Sequence, residues 1–119
     1  MTKDFNSTLF KSIDETMAGV LGLKARETLY LNLLTKRSIT REELPENPRG
    51  LISVLEESFG PSPAKNVLKA IAKRFYSEMG LEFIEKPDYS FLDYVQEVKT
   101  IRLKDSQPRM KDTRDERPD

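Results

Sequence analysis

Three glycines divide this chain into segments of helical periodicity. Gly22, Gly60 and Gly80 each end a stretch in which apolar residues recur every three or four positions. Glycine is typical of the position just after a helix, because it adopts the left-handed backbone conformation there without the steric cost of a Cβ atom. The sequence therefore predicts an all-α protein whose helices stop at these glycines.

The stretches between the glycines predict a compact bundle of four helices, at about residues 7–21, 24–37, 47–59 and 62–79. The link between the first two is so short that we expect an antiparallel hairpin. Between the second and third, Thr40 and Glu43 have the spacing of a capping box, but Pro45 follows too soon for more than about one helical turn.

Proline-based start signals open the third and fourth helices. Asn47-Pro48 and Ser62-Pro63 each place a capping side chain directly before a proline at the first helical position. After Gly80 the short alternation over residues 81–84 is compatible with an extended segment.

A fifth helix is predicted beyond this core, over roughly residues 88–104, with Asp88 as its cap. It is followed at 105–119 by fifteen residues with nine charges and one apolar side chain, which predicts a disordered tail. We therefore expect one helical domain over residues 1–104, with the fifth helix appended to the bundle.

Composition excludes several classes of chemistry. The chain has no Cys, no His and no Trp, so disulfides, thiolate catalysis and Ser-His-Asp triads are impossible. No apolar run reaches the roughly 20 residues needed to span a bilayer, and the N-terminus lacks the pattern of a secretory signal. We expect a cytoplasmic protein that is not an enzyme, carries no cofactor or metal and does not bind a membrane.

Several motifs between residues 12 and 84 resemble an archaeal domain family, the fifth type of Nitrososphaera output domain. The resemblance rests on Ile13-Asp14-Glu15, Leu21-Gly22, Tyr30, Arg41-Glu42-Glu43-Leu44-Pro45-Glu46-Asn47-Pro48, Leu55-Glu56-Glu57-Ser58-Phe59-Gly60-Pro61, Ala64-Lys65 and Gly80-Leu81-Glu82-Phe83. It implies a small all-helical module of archaeal signalling proteins, with no assigned reaction. It does not extend to the fifth helix or the tail.

Two motifs are compatible with chemistry but have simpler structural interpretations. Glu42, Glu43 and Glu46 form an acidic corner that suits a metal or acid-base pair, yet Glu43 is placed to cap and the others to lie on the surface. Residues 60–65 place a lysine near a helix N-terminus, as in phosphate sites, but their two prolines lack the N–H groups that cradle phosphate. We interpret both as structural turns.

A basic face on the fourth helix supports an alternative function. Lys65, Lys69 and Lys73 follow one another at steps of four, with Arg74 beside them, as in a helix that contacts nucleic acid. The formal net charge of zero argues against a nucleic-acid binder, because such domains are usually basic. A nucleic-acid-binding regulator therefore remains the alternative.

The apolar face of the fifth helix allows two interpretations. Phe91, Tyr94, Val95 and Val98 lie at helical spacing and either complete the core or offer a docking face to a partner. The sequence as a whole favours a non-enzymatic protein-interaction or signal-output module of an archaeal regulatory system, with a protein partner.

Overall fold

The computed structural model describes residues 4–106, with side chains to Arg102. Within this range the chain forms five α-helices, one 3-10 helix and no strand. They are α1 (Phe5–Leu21), α2 (Leu23–Arg37), the 3-10 helix (Arg41–Glu46), α3 (Pro48–Phe59), α4 (Pro61–Glu78) and α5 (Phe91–Ser106). The all-α class is confirmed, but these residues contain six helical segments where the sequence predicted five.

The additional helix is the corner that contains Pro45. Thr40 and Glu43 form the predicted capping box, in which the Thr40 N–H donates to Glu43 Oε1 over 2.9 Å. A 3-10 helix continues past it to Glu46, with Leu44 and Pro45 buried. The corner is therefore longer than the single turn that was predicted.

Gly22 and Gly60 each end one helix and begin the next. Their φ and ψ angles are 95° and 158° at Gly22, and 90° and 162° at Gly60. A positive φ with an extended ψ is accessible essentially only to glycine, and it differs from the left-handed conformation predicted here. Because Gly60 itself opens α4, the predicted start at Ser62-Pro63 is wrong, and the helix begins at Pro61.

Gly80 ends α4 in the predicted way. It has a positive φ of 75°, its N–H donates to the Ser77 carbonyl, and the Leu81 N–H donates to the Tyr76 carbonyl over 2.8 Å. These two bonds define a Schellman motif, which satisfies carbonyls at the helix end. The chain then runs without helix or strand to Ser90; we call residues 81–90 the connecting segment.

Two further predicted caps are absent. Asn47 precedes Pro48 as predicted, but its side chain makes no capping hydrogen bond. Asp88 does not cap α5, because Ser90 and Asp93 form a reciprocal pair two residues later: the Ser90 N–H donates to Asp93 Oδ2 over 2.9 Å, and the Asp93 N–H donates to Ser90 Oγ. This pair sets the start of α5 at Phe91.

α5 extends to Ser106, so the first two residues of the predicted tail are helical. The rest of that prediction, over residues 107–119, lies outside the described residues. None of the described helices combines the length and apolar character needed to cross a membrane.

α4 organises the core, since α1, α3 and α5 all pack against it. The largest fully buried side chain is Phe75 of α4. Other fully buried residues of the core come from α1, α2 and α3, among them Leu9, Ile13, Met17, Leu33, Leu51 and Leu55.

The apolar face of α5 belongs to the same core. Phe91, Tyr94, Val95 and Val98 have exposed fractions of 6%, 4%, 9% and 0%. α5 therefore completes the core in this structure, and a partner gains the whole face only if α5 leaves α4.

Candidate functional site

One wall of the candidate site is the lysine face of α4. Of Lys65, Lys69 and Lys73, the middle lysine contacts Glu85 of the connecting segment, and Lys69 Nζ lies 2.8 Å from Glu85 Oε2. The hydrogen bond from Lys69 holds the pKa of Glu85 below its ordinary value, and the charges of Lys73 and Lys65 add to the effect. One carboxylate thus pairs with Lys69 and interacts more weakly with the other two predicted lysines.

Arg74 is directed away from these lysines. Its guanidinium pairs with Glu15 of α1, and its Nε lies 3.2 Å from Glu78 one turn along α4. The structure therefore separates Arg74 from the other three residues of the proposed basic face, and gives it a role between α1 and α4.

A groove of about 590 Å³ opens beside the lysine face, between α3, α4, the connecting segment and the start of α5. Its apolar lining is formed by Ile52, Leu68, Phe91, Tyr94 and Tyr89. We call it the tyrosine groove. It brings Lys65 and Lys69 together with Phe91 and Tyr94, two pairs that the sequence assigned to different hypotheses.

The rim of the tyrosine groove carries both signs of charge. The charged residues that line it are Lys65, Lys69 and Lys86 together with the acidic residues Glu56, Glu85 and Asp88. Three cations therefore stand against three anions at the opening. An apolar floor inside an electrically balanced rim is the usual composition of a surface that binds protein.

The wall formed by the connecting segment is fixed by hydrogen bonds to α5. The Tyr94 hydroxyl accepts from the Lys86 N–H over 2.8 Å and donates to the Lys86 carbonyl over 3.1 Å. The Phe83 ring packs on Tyr94 and on Tyr76, with centroid separations of 5.0 and 5.3 Å, and the Tyr89 ring packs on Tyr94 at 5.0 Å. The groove is thus bounded by an aromatic cluster that is already assembled.

Glu97 is the polar centre of this cluster. Its carboxylate accepts hydrogen bonds from Lys86 Nζ at 2.5 Å, from Tyr89 at 3.3 Å and from Tyr76. The bond from Lys86, followed by that from Tyr76, holds the pKa of Glu97 below its ordinary value. Burial and the neighbouring Glu97 raise the pKa of Tyr76 well above its usual range.

Sequence reasoning missed Tyr76, Tyr89 and Glu97 as part of the site. The available signal was the distribution of tyrosine, because three of the four tyrosines of the chain fall between residues 76 and 94. Their spacing is irregular, so periodicity alone did not connect them.

The other motifs singled out in the sequence have structural partners. Glu43 caps the 3-10 helix, and Glu46 accepts a hydrogen bond from Asn6 over 3.3 Å. Over residues 4–106, no group of three acidic side chains is arranged to hold a metal ion. Tyr30, part of the family-like pattern, donates to Asp14 over 2.6 Å and lies under the Arg41 guanidinium, which joins α1, α2 and the 3-10 helix.

Comparison with known proteins gives no relative. No protein-family model, no curated protein and no solved structure matches the chain. The resemblance to the fifth type of Nitrososphaera output domain therefore stays a prediction. The described residues define an all-helical domain with a preformed aromatic groove on its surface.

Proposed function

We propose that this chain is a non-enzymatic protein-interaction module, and that the tyrosine groove binds an extended segment of a protein partner. The observation that carries the proposal is the composition of the groove: an apolar and aromatic floor inside a rim with lysines and carboxylates in equal number. A volume of about 590 Å³ suits a few side chains of a peptide. The partner segment would place an apolar side chain on Ile52 and Leu68 and charged side chains at the rim.

The charges around the groove favour a protein over a nucleic acid. Lys69 and Lys86 are already paired with Glu85 and Glu97. The carboxylates of Glu56 and Asp88 at the same rim would repel phosphates, whereas they suit a partner that carries its own cations. The resemblance to an archaeal signalling family supports a role as an output module in a regulatory system.

Selection of peptides on the immobilised full chain from a displayed random library tests the proposal. We expect selected peptides whose binding shifts the amide signals of residues 85–91 and of Ile52 in a two-dimensional NMR spectrum. Ile52→Asp should weaken their affinity by at least about tenfold, because it puts a charge on the apolar floor. Leu31→Asp is the matched control, since Leu31 is a 58% exposed apolar residue of α2 outside the groove.

Two outcomes would contradict the proposal. The first is a library that yields no binder after several rounds, while the chain remains folded by circular dichroism. The second is a set of binders that lose as much affinity to Leu31→Asp as to Ile52→Asp, which would show nonspecific attachment to exposed apolar residues.

Nucleic-acid binding remains the alternative because two residues of the lysine face, Lys65 and Lys73, make no ion pair with the described residues. Lys73 does not line the tyrosine groove, so Lys73→Glu separates the two functions. It should leave peptide binding unchanged. If the chain binds DNA or RNA at low salt, Lys73→Glu should weaken that binding and flatten its dependence on salt concentration.

A further inference from the structure

A second groove, along a neighbouring face of α5, is lined by several cations. It encloses about 830 Å³ between the start of α1, the junction of the 3-10 helix with α3, and α5. Arg49 of α3 and Lys99 and Arg102 of α5 line it. We call it the arginine groove.

These three cations form no ion pair with the described residues. Seven lysines and arginines of the described residues form salt bridges: Lys11, Arg26, Arg37, Arg41, Lys69, Arg74 and Lys86. Arg49, Lys99 and Arg102 have no carboxylate within salt-bridge distance among the described residues, although the charge of Arg102 acts on Asp4. Three of the seven described lysines and arginines that form no salt bridge therefore line this groove; the other four are Lys24, Lys36, Lys65 and Lys73.

The two carboxylates that line the same groove are already engaged. Asp4 caps α1, accepting from the Ser7 N–H over 2.7 Å. Glu46 accepts from Asn6 Nδ2 over 3.3 Å. Both anions thus serve the start of α1, and the positive charge of α3 and α5 remains available to a ligand.

The lining residues on α5 follow a helical stripe. Leu92, Val95, Lys99 and Arg102 recur at steps of three and four, so they form one ridge along the groove. From Leu92 to Arg102 the ridge is about 15 Å long at 1.5 Å per residue. Leu92 is its partly exposed apolar residue, with Phe5 of α1 beside it, whereas Val95 is buried in the core; its second half is cationic.

We propose that the arginine groove binds an acidic amphipathic helix of a protein partner. A helix lying along α5 repeats its side chains at the same spacing, so an apolar residue in one turn meets Leu92 and Phe5. Glu or Asp residues in its next turns then meet Lys99, Arg102 and Arg49. This site does not depend on the tyrosine groove, and the two grooves are lined by different residues of α5.

Binding of a designed probe to the full chain tests this inference. The probe is a fluorescein-labelled helical peptide of about 18 residues, with leucines on one stripe and glutamates in the following turns; its control has lysine at each glutamate position. We expect the acidic peptide to bind, to shift the amide signals of Arg49, Leu92 and Lys99, and to weaken at least about tenfold in the double variant Lys99→Glu, Arg102→Glu.

Lys24→Glu, Lys36→Glu is the matched control variant, because both lysines are exposed, unpaired and on α2 outside the groove. If both double variants lost the same affinity, the loss would come from the changed net charge of the protein and not from the groove, and the inference would be overturned. Binding of the lysine peptide, or no binding of the acidic peptide at about 1 mM, would also overturn it. Inorganic phosphate that shifts the same amides when the peptide does not would assign the groove to small anions instead.

Discussion

Lys86 Nζ lies 2.5 Å from Glu97 Oε2, and this pair fastens the connecting segment to α5. The Glu97 side chain is 25% exposed, so the pair is partly shielded from water. Tyr76 of α4 and Tyr89 of the connecting segment donate to the same carboxylate. One side chain therefore ties together three parts of the chain that surround the tyrosine groove.

Replacement of Glu97 by glutamine should lower the free energy of unfolding by about 1 kcal/mol. Glutamine keeps the size of the side chain but removes the charge that strengthens three hydrogen bonds, and partial exposure limits the loss. Urea denaturation followed by circular dichroism measures the change. Glu82→Gln is the control, because Glu82 is exposed, and its effect should stay within about 0.5 kcal/mol. Equal effects of the two substitutions would show that Glu97 is not a structural centre.

Stability should depend on pH in two separate limbs. The pKa of Glu97, like those of Asp4, Glu27 and Glu85, is lowered in the folded chain, so these carboxylates bind protons more weakly than they do after unfolding. Their contribution is present above the unfolded pKa of about 4 to 4.5 and is lost as pH falls through the lower folded value. Unfolding free energy should therefore decline on acidification.

At alkaline pH, the unfolding free energy should decline as the pH rises. The pKa values of Tyr76 and Lys86 are raised in the folded chain. Their contribution to the unfolding free energy is therefore present below about pH 10 and is lost as the pH rises further. The chain has no histidine, so between about pH 6 and 9 the unfolding free energy should be flat. Urea denaturation from about pH 2 to 11 checks this, and Glu97→Gln should make the acidic limb shallower. A slope near about pH 6.5 would contradict it.

Two glycines close together in sequence should respond to alanine with opposite signs. Gly22→Ala should destabilise the chain by about 1–3 kcal/mol, because φ of 95° with ψ of 158° is strained for any residue with a Cβ. Gly19→Ala should stabilise it by up to about 1 kcal/mol, because Gly19 lies inside α1 and a Cβ atom there would meet nothing within 4 Å. Thermal unfolding of both variants checks the pair, and the same sign for both would contradict this interpretation.

Much of the fold was predictable because its determinants are local. Short stretches of a few residues determine the helix ends at Gly22, Gly60 and Gly80 and the capping box at Thr40. The errors occurred where two local signals competed. Ser62-Pro63 has the pattern of a helix start, but Gly60 already occupies the cap position of α4. Asp88 lies before α5, but the start of that helix is capped by the reciprocal hydrogen bonds between Ser90 and Asp93.

The candidate site was less predictable because long-range contacts assemble it. Lys69 meets Glu85, and Tyr76 meets Glu97, only after the connecting segment folds back along α4. The basic face was identified in sequence, but its partial neutralisation by Glu85 was not. The burial of Phe91 and Tyr94 depends on the direction in which α5 packs, which helical spacing does not specify.

Gly50 and Ile39 provide a test of the packing between α3 and the second residue after α2. A Cβ atom on Gly50 would lie 2.4 Å from Ile39 Cδ1 and 3.5 Å from Leu33 Cδ2. Gly50→Ala should therefore destabilise the chain by about 1–3 kcal/mol, although alanine is the better helix former. Ile39→Val removes the clashing atom and alone should cost about 1 kcal/mol, since Ile39 is buried.

The double variant distinguishes a steric clash from a general intolerance of substitution at Gly50. If the clash with Ile39 Cδ1 is the cause, Gly50→Ala combined with Ile39→Val should be more stable than Gly50→Ala alone. The two single effects would then be coupled by about 1 kcal/mol or more in a double-mutant cycle measured by urea denaturation. Simple additivity would mean that the backbone of α3, and not the tip of Ile39, requires glycine at this position.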